Sequence, residues 1–176
     1  MDLLIGAAAG AAATWAMDKV TTLIYERQPE SLKRRESKAR GGKFAYEVAA
    51  QRGAKLVGRK LSTEQRKKIG GAIHWSLGVT SGALYGLIRN RSRLLGIGSG
   101  VAYGLAFYVL VDEAGLATLG ISPPPNAFRW QTHARGLAGH LVLGGILDGV
   151  FDVADLAASA RGRFPTTSQA VDRDRS

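Results

Sequence analysis

Uncharged apolar stretches alternate with strongly charged ones along this 176-residue chain. Residues 94–111, LLGIGSGVAYGLAFYVLV, carry no charge, and residues 69–88, IGGAIHWSLGVTSGALYGLI, have His74 and Tyr85 as their only ionisable side chains. Residues 3–17 are also uncharged, whereas residues 27–68 hold 14 of the 24 Lys and Arg. About 20 apolar residues cross the hydrocarbon core of a bilayer as a helix. The pattern therefore predicts an all-α, polytopic membrane protein with four transmembrane helices in a glycine-rich bundle. The expected spans are residues 3–25, 69–88, 94–112 and 133–151. They make one domain over residues 1–156, with a basic loop at 27–68 and a polar C-terminal tail at 157–176.

Glycine spacing adds a packing expectation. Gly6 and Gly10 are four apart, as are Gly78, Gly82 and Gly86 in the second span and Gly96, Gly100 and Gly104 in the third. Small residues at this interval let helix backbones approach closely in lipid. The same ladders would serve a homo-oligomer or a larger membrane complex. Glycine is also simply commoner in membrane helices. In the basic loop, Tyr46, Ala50, Ala54, Val57 and Leu61 fall on one helical stripe, with Arg52, Lys55 and Arg59 opposite. Such a helix either lies on an anionic lipid surface or packs on the protein's own bundle. Ser62 followed by Gln65 has the form of a capping box, so the second helix is expected to start there.

Charge and composition narrow the partners. No cysteine is present, so disulfides and thiolate metal sites are out. The acidic start, MD, does not fit a secretory leader, which carries positive charge there, and a retained first span is expected. Basic residues favour the side of the first loop as the inside. Residues 27–68 are basic enough to bind nucleic acid electrostatically. They hold no recognition motif and only Phe44 and Tyr46 for stacking, so anionic headgroups are the simpler partner.

The polar residues of the expected spans fall in one leaflet. The ends of odd spans and the starts of even spans share a side, which gathers Asp18, Lys19, His74, Asp112, Glu113, His133, Arg135 and His140. Asp148 and Asp152 lie toward the other side. On the fourth span His133, His140, Gly144 and Asp148 share a face. Charges within a span cost about 2.5–3.5 kcal/mol each on insertion scales, so they are expected to face partners in the bundle. Four readings stay open for the cluster. Asp18 pairs with Lys19 or Arg135, and Glu113 with Arg135, and these pairs merely fix helix register. The His and carboxylate groups move protons or ions. His74, His140, Asp112 and Glu113 hold a metal. His74 and His140 hold a haem. No HExxH-like motif, nucleophile–base pair or cofactor fingerprint supports an enzyme. Pro123, Pro124 and Pro125 break the third loop, which is expected either to cover the cluster as a lid or to connect stiffly through the aromatic anchors Phe128 and Trp130.

The segment GISPPPNAFRW followed by GHLVLGG, together with IHWSLGVTSGALYGL and the acidic end of the third span, resembles the YagU-like family of small bacterial inner-membrane proteins, a domain of unknown function. The resemblance covers residues 69–151 and leaves out the basic loop. It implies a multi-pass inner-membrane location, a helical fold and a link to acid tolerance, with no established reaction or catalytic residues. The expected function is an accessory or structural membrane subunit whose basic loop contacts lipid or a partner. The alternative is a bundle that handles protons, ions, a metal or a haem.

Overall fold

The computed structural model describes residues 1–89 and 99–163, all as helices and their connections. The elements are α1 (Asp2–Glu26), α2 (Glu30–Ala39), α3 (Ala45–Leu56), α4 (Thr63–Ile88), α5 (Ser99–Phe107), a π-helical stretch (Tyr108–Gly115), α6 (Leu116–Thr118), a 3-10 turn (Pro125–Ala127) and α7 (Trp130–Arg163). The basic segment is thus two helices rather than a loop. The charge-rich α2 is compatible with a helix because Glu30–Lys33 and Glu36–Arg40 pair at helical intervals. Ser62 accepts from the Gln65 amide while the Gln65 side chain accepts from the Ser62 amide, which closes the capping box that starts α4. Residues 157–163, expected in a polar tail, continue α7 instead.

The four long segments pack antiparallel in two close pairs, and backbone contact sets both. A Cβ on Gly6 would lie 2.3 Å from the Gly82 carbonyl oxygen, and one on Gly10 would lie 2.5 Å from that of Gly78. A Cβ on Gly86 would meet the Asp2 carbonyl at 2.4 Å. In the other pair, Cβ atoms on Gly100 and Gly104 would lie 2.1 Å from the carbonyls of Gly144 and His140. The ladder faces are therefore filled by helices of the same chain. Gly96 lies outside the described residues. Between the pairs, α1 packs on α7, and a core of Ala9, Ala13, Met17, Tyr85, Tyr103, Leu143, Leu147 and Phe151 fills the junction. The helix α3 lies on the start of α4, where Gly70 admits the backbone of Tyr46 and Glu47. Its stripe follows suit: Ala50 is buried, but Val57 falls beyond the helix and is exposed.

The expectation of four transmembrane helices is not met. Among the described residues only Ser99–Thr118 is long and apolar enough to cross a membrane, with a mean hydropathy of 1.3. Length does not disqualify the others, at 25, 26 and 34 residues. Composition does. The apolar content of α1 is largely alanine and glycine, which lose little transfer free energy per residue, and it carries Asp18 and Lys19. The 69–88 stretch of α4 is diluted by five glycines, by serine and threonine and by His74, and the apolar stretch of α7 is interrupted by His140, Asp148 and Asp152.

Thermal unfolding checks the glycine contacts. Gly82→Ala and Gly100→Ala should each cost about 1–3 kcal/mol, because a rigid backbone must move to admit one methyl. Gly145→Ala, where nothing lies within 4 Å of the new Cβ, should be neutral or stabilising by up to about 1 kcal/mol through helix propensity. Equal unfolding midpoints for all three would contradict the close approach.

Candidate functional site

Antiparallel pairing brings the end of α1, the start of α4, the π-helical stretch and the start of α7 to one end of the bundle. There α2, α3 and the proline-rich loop cover them. Asp18 Oδ1 lies 2.9 Å from His74 Nε2. The Tyr46 ring leans on His74, with centroids 5.2 Å apart, and its hydroxyl donates to Asp112 Oδ1 at 3.4 Å. Burial, and then the Asp112 charge, push the Tyr46 phenol well above its ordinary range, so it remains a neutral donor. The other oxygen of Asp112 faces His140 Nε2 at 3.7 Å, beyond hydrogen-bond length. His140 is 1 % exposed, and its Nδ1 donates to the Gly136 carbonyl at 2.9 Å. Its Nε2 is then a donor toward Asp112 only when the ring is protonated.

The π-helical winding, with its i→i+5 hydrogen bonds, lets adjacent carboxylates serve different partners. Asp112 turns toward Tyr46 and His140. Glu113 accepts from the Tyr108 hydroxyl five residues back and lies 2.7 Å from His133 Nδ1. The Nε2 of His133 lies 3.1 Å from the Pro125 carbonyl oxygen. Both ring nitrogens of His133 thus face oxygen atoms, one on the π-helical stretch and one on the proline-rich loop. The loop thus folds onto the cluster and is not merely a connector; Phe128 also meets the His133 ring edge-on at 6.3 Å.

The third group joins α2 to α7. Arg135 donates to both oxygens of Glu36, at 2.6 and 3.0 Å, and to Gln28 at 3.0 Å. Arg40 reaches the same carboxylate at 2.7 Å, and Thr132 donates to it at 3.1 Å. The Arg135 guanidinium also lies 5.0 Å from the Tyr25 ring centroid. Burial pushes the Glu36 carboxyl up, but the Arg135 hydrogen bonds and the charges of Arg40 and Arg135 outweigh it and hold the group below its ordinary range. A cavity of about 190 Å³ lies among these groups, lined in part by Arg40, Tyr46, Asp112, His133 and Arg135.

Several expectations are corrected here. Arg135 pairs with Glu36, not with Glu113 or Asp18. Lys19 points outward, its ammonium 5.8 Å from the Trp15 ring centroid. His74, His140, Asp112 and Glu113 do not converge, because Glu113 is taken by His133. Among the described residues no three His, Asp or Glu side chains are placed to hold a metal ion. The gap lined by His74 and His140 is about 10 Å³, the space of one water at most, so no haem fits between them. The face shared by His133, His140, Gly144 and Asp148 does meet α5 and its π-helical extension.

The opposite end of the bundle holds a second network. Asp148 accepts from Tyr85, from Ser99 Oγ at 3.0 Å and from the Gly100 amide at 3.0 Å, which caps the start of α5 from a neighbouring helix. Tyr103 donates to the Ser81 carbonyl at 2.8 Å. Glu36, Tyr46, Tyr85 and Ser99 were not singled out as site residues from the sequence. For Glu36 the one available signal was its four-residue spacing to Arg40. Comparison with protein-family models, characterised proteins and solved structures gives no match.

Acid titration checks the Glu36 hub. A carboxyl whose folded pKa is depressed stabilises the fold above its ordinary value, 4.5 here, and that contribution is lost as pH falls through the lower folded value. The native chain should therefore lose stability below about pH 4.5. Glu36→Gln should flatten that part of the profile and cost about 1–3 kcal/mol at neutral pH, since two partly buried guanidiniums lose a charged partner. An unchanged acid limb in Glu36→Gln would remove Glu36 as its source.

Proposed function

We propose that the chain is an accessory or structural subunit of the bacterial inner membrane. It is held there through Ser99–Thr118, and its basic α2–α3 cap meets anionic headgroups or an acidic partner. The observation that carries this reading is where the apolar surface of that segment lies. Only 22 % of its most apolar window is buried within the fold, whereas the core helix of a water-soluble domain is mostly buried. Val101, Leu105, Val109 and Leu110 are 46–68 % exposed and form an outward stripe at helical spacing. The cap supports the second half of the reading. Exposed Lys55, Arg59 and Lys60 ring the exposed Leu56 and Val57 at the end of α3, a combination suited to a membrane interface. The resemblance of residues 69–151 to the YagU-like family points the same way.

Proton handling is a second reading, favoured by one arrangement. The Asp18–His74 and Asp112–His140 pairs are joined through Tyr46, which touches His74 and donates to Asp112. His and carboxylate chains of this kind relay protons in membrane proteins.

Alkaline carbonate washing of cell membranes tests the main reading. The native chain should stay with the membrane, and Leu105→Lys with Leu110→Lys should release it or block its insertion. A native chain recovered in the wash, soluble without detergent, would end the proposal. In lipid nanodiscs, amine labelling of Lys55 and Lys60 should slow when phosphatidylglycerol replaces phosphatidylcholine, and recover at high salt. Labelling indifferent to lipid charge would assign the cap to a protein partner. For the second reading, His140→Gln in proteoliposomes should abolish a proton flux that the native protein shows; absence of native flux would eliminate it.

A further inference from the structure

The cavity under the proline-rich loop is walled by groups whose bonding capacity is only partly used. Among the described residues Asp112 has no short hydrogen bond: the Tyr46 hydroxyl stands at 3.4 Å and His140 Nε2 at 3.7 Å. Its carboxylate is 28 % exposed and lines the cavity, so its acceptor capacity is turned to whatever fills that space. Arg40 is the counterpart. One of its nitrogens meets Glu36, and its guanidinium lies between the rings of Phe44 and Phe128, at 5.3 and 5.6 Å from their centroids. Glu36 is already engaged on both oxygens by Arg135. Two guanidiniums thus share one carboxylate and leave positive charge in surplus on that wall, while Asp112 stands on the other wall, where Glu113 is taken by His133.

The volume fixes the scale of the occupant. About 190 Å³ is room for several water-sized groups. It lies below the range of about 300 Å³ and upward typical of sites for drug-sized ligands. We infer that this cavity binds a small zwitterion, with an ammonium group toward Asp112 and a carboxylate or phosphate toward Arg40. The rings of Phe44 and Tyr46 flank the short chain between its charges, and the Tyr46 ring face adds cation–π attraction for the ammonium. The proposal does not rest on the lipid contact of the basic cap. Two sources share this chemistry: a free amino acid and the ethanolamine phosphate headgroup of a lipid.

Isothermal titration of the full chain in detergent micelles tests it. The probes are 4-aminobutyrate, phosphoethanolamine, dihexanoyl phosphatidylethanolamine, and the singly charged butyrate and butylamine, each at millimolar concentration. The zwitterions should bind roughly tenfold or more tightly than either singly charged analogue, as expected when two charge-assisted contacts replace one. Preference for 4-aminobutyrate identifies a free amino acid, and preference for the short-chain lipid identifies a headgroup. Asp112→Asn should weaken the zwitterions by about tenfold or more and leave butyrate unchanged. If far-ultraviolet circular dichroism shows that variant unfolded, Arg40→Gln serves instead, because Arg135 still holds Glu36. It should weaken the zwitterions and spare butylamine. Butyrate or butylamine binding as tightly as the zwitterions overturns the inference, and so does the absence of heat from any probe with the folded native chain.

Discussion

Direct contact between helix backbones is the constraint on which the rest of this molecule depends. At Gly82 and Gly100 an added Cβ would lie little more than 2 Å from the carbonyl oxygen of a facing helix. No side chain separates the helices there, so α1 with α4, and α5 with α7, are registered to within a single residue. That register carries Asp18 to His74 and places Asp148 over the first amide of α5. The core at the junction of the pairs combines Ala9 and Ala13 with Met17, Leu143, Leu147 and the rings of Tyr85, Tyr103 and Phe151.

A bundle pinned this closely has to satisfy its polar groups at the two ends. At one end Asp148 closes the network of Tyr85, Ser99 and Gly100. At the other, three carboxylates of the long helices face three histidines, Arg135 is left over, and the cap completes the set. Glu36 supplies the counter-charge to Arg135, and Tyr46 supplies a donor for Asp112. The cap is therefore a structural part of the site as well as its basic exterior. Its inward residues neutralise the bundle and its outward residues carry the charge. The π-helical winding of Tyr108–Gly115 matters for the same reason, since it lets Asp112 and Glu113 point to different histidines.

Uncharged stretches alone overstated how much of the chain can enter a bilayer. Residues 3–17 and 69–88 are uncharged or nearly so, yet they are built of alanine, glycine, serine and threonine, whose transfer energies are small. Lack of charge and positive hydrophobicity are different quantities, and among the described residues only Ser99–Thr118 has enough of the second, in spite of Asp112 and Glu113. The site was legible in outline because heptad and four-residue spacings on one helix are local. His133, His140 and Asp148 share a face by arithmetic alone. Their partners were less legible, because Glu36 sits in a segment whose outward character is set by fourteen basic residues.

The sequence by itself determined the long helical segments, the start of α4 and the glycine contact faces. The capping box at Ser62, the glycine ladders and the apolar run after Ser99 are all short-range signals, and each acts through the backbone of its own element. Tertiary structure alone decided which charge meets which. Arg135 has acidic residues before and after it in the chain, and spacing favoured Glu113 or Asp18. The choice of Glu36 follows from the way α2 folds back across the start of α7, a placement set by packing between elements about a hundred residues apart. Pairing of buried charges depends on distance in space, and no periodicity along a single helix encodes it.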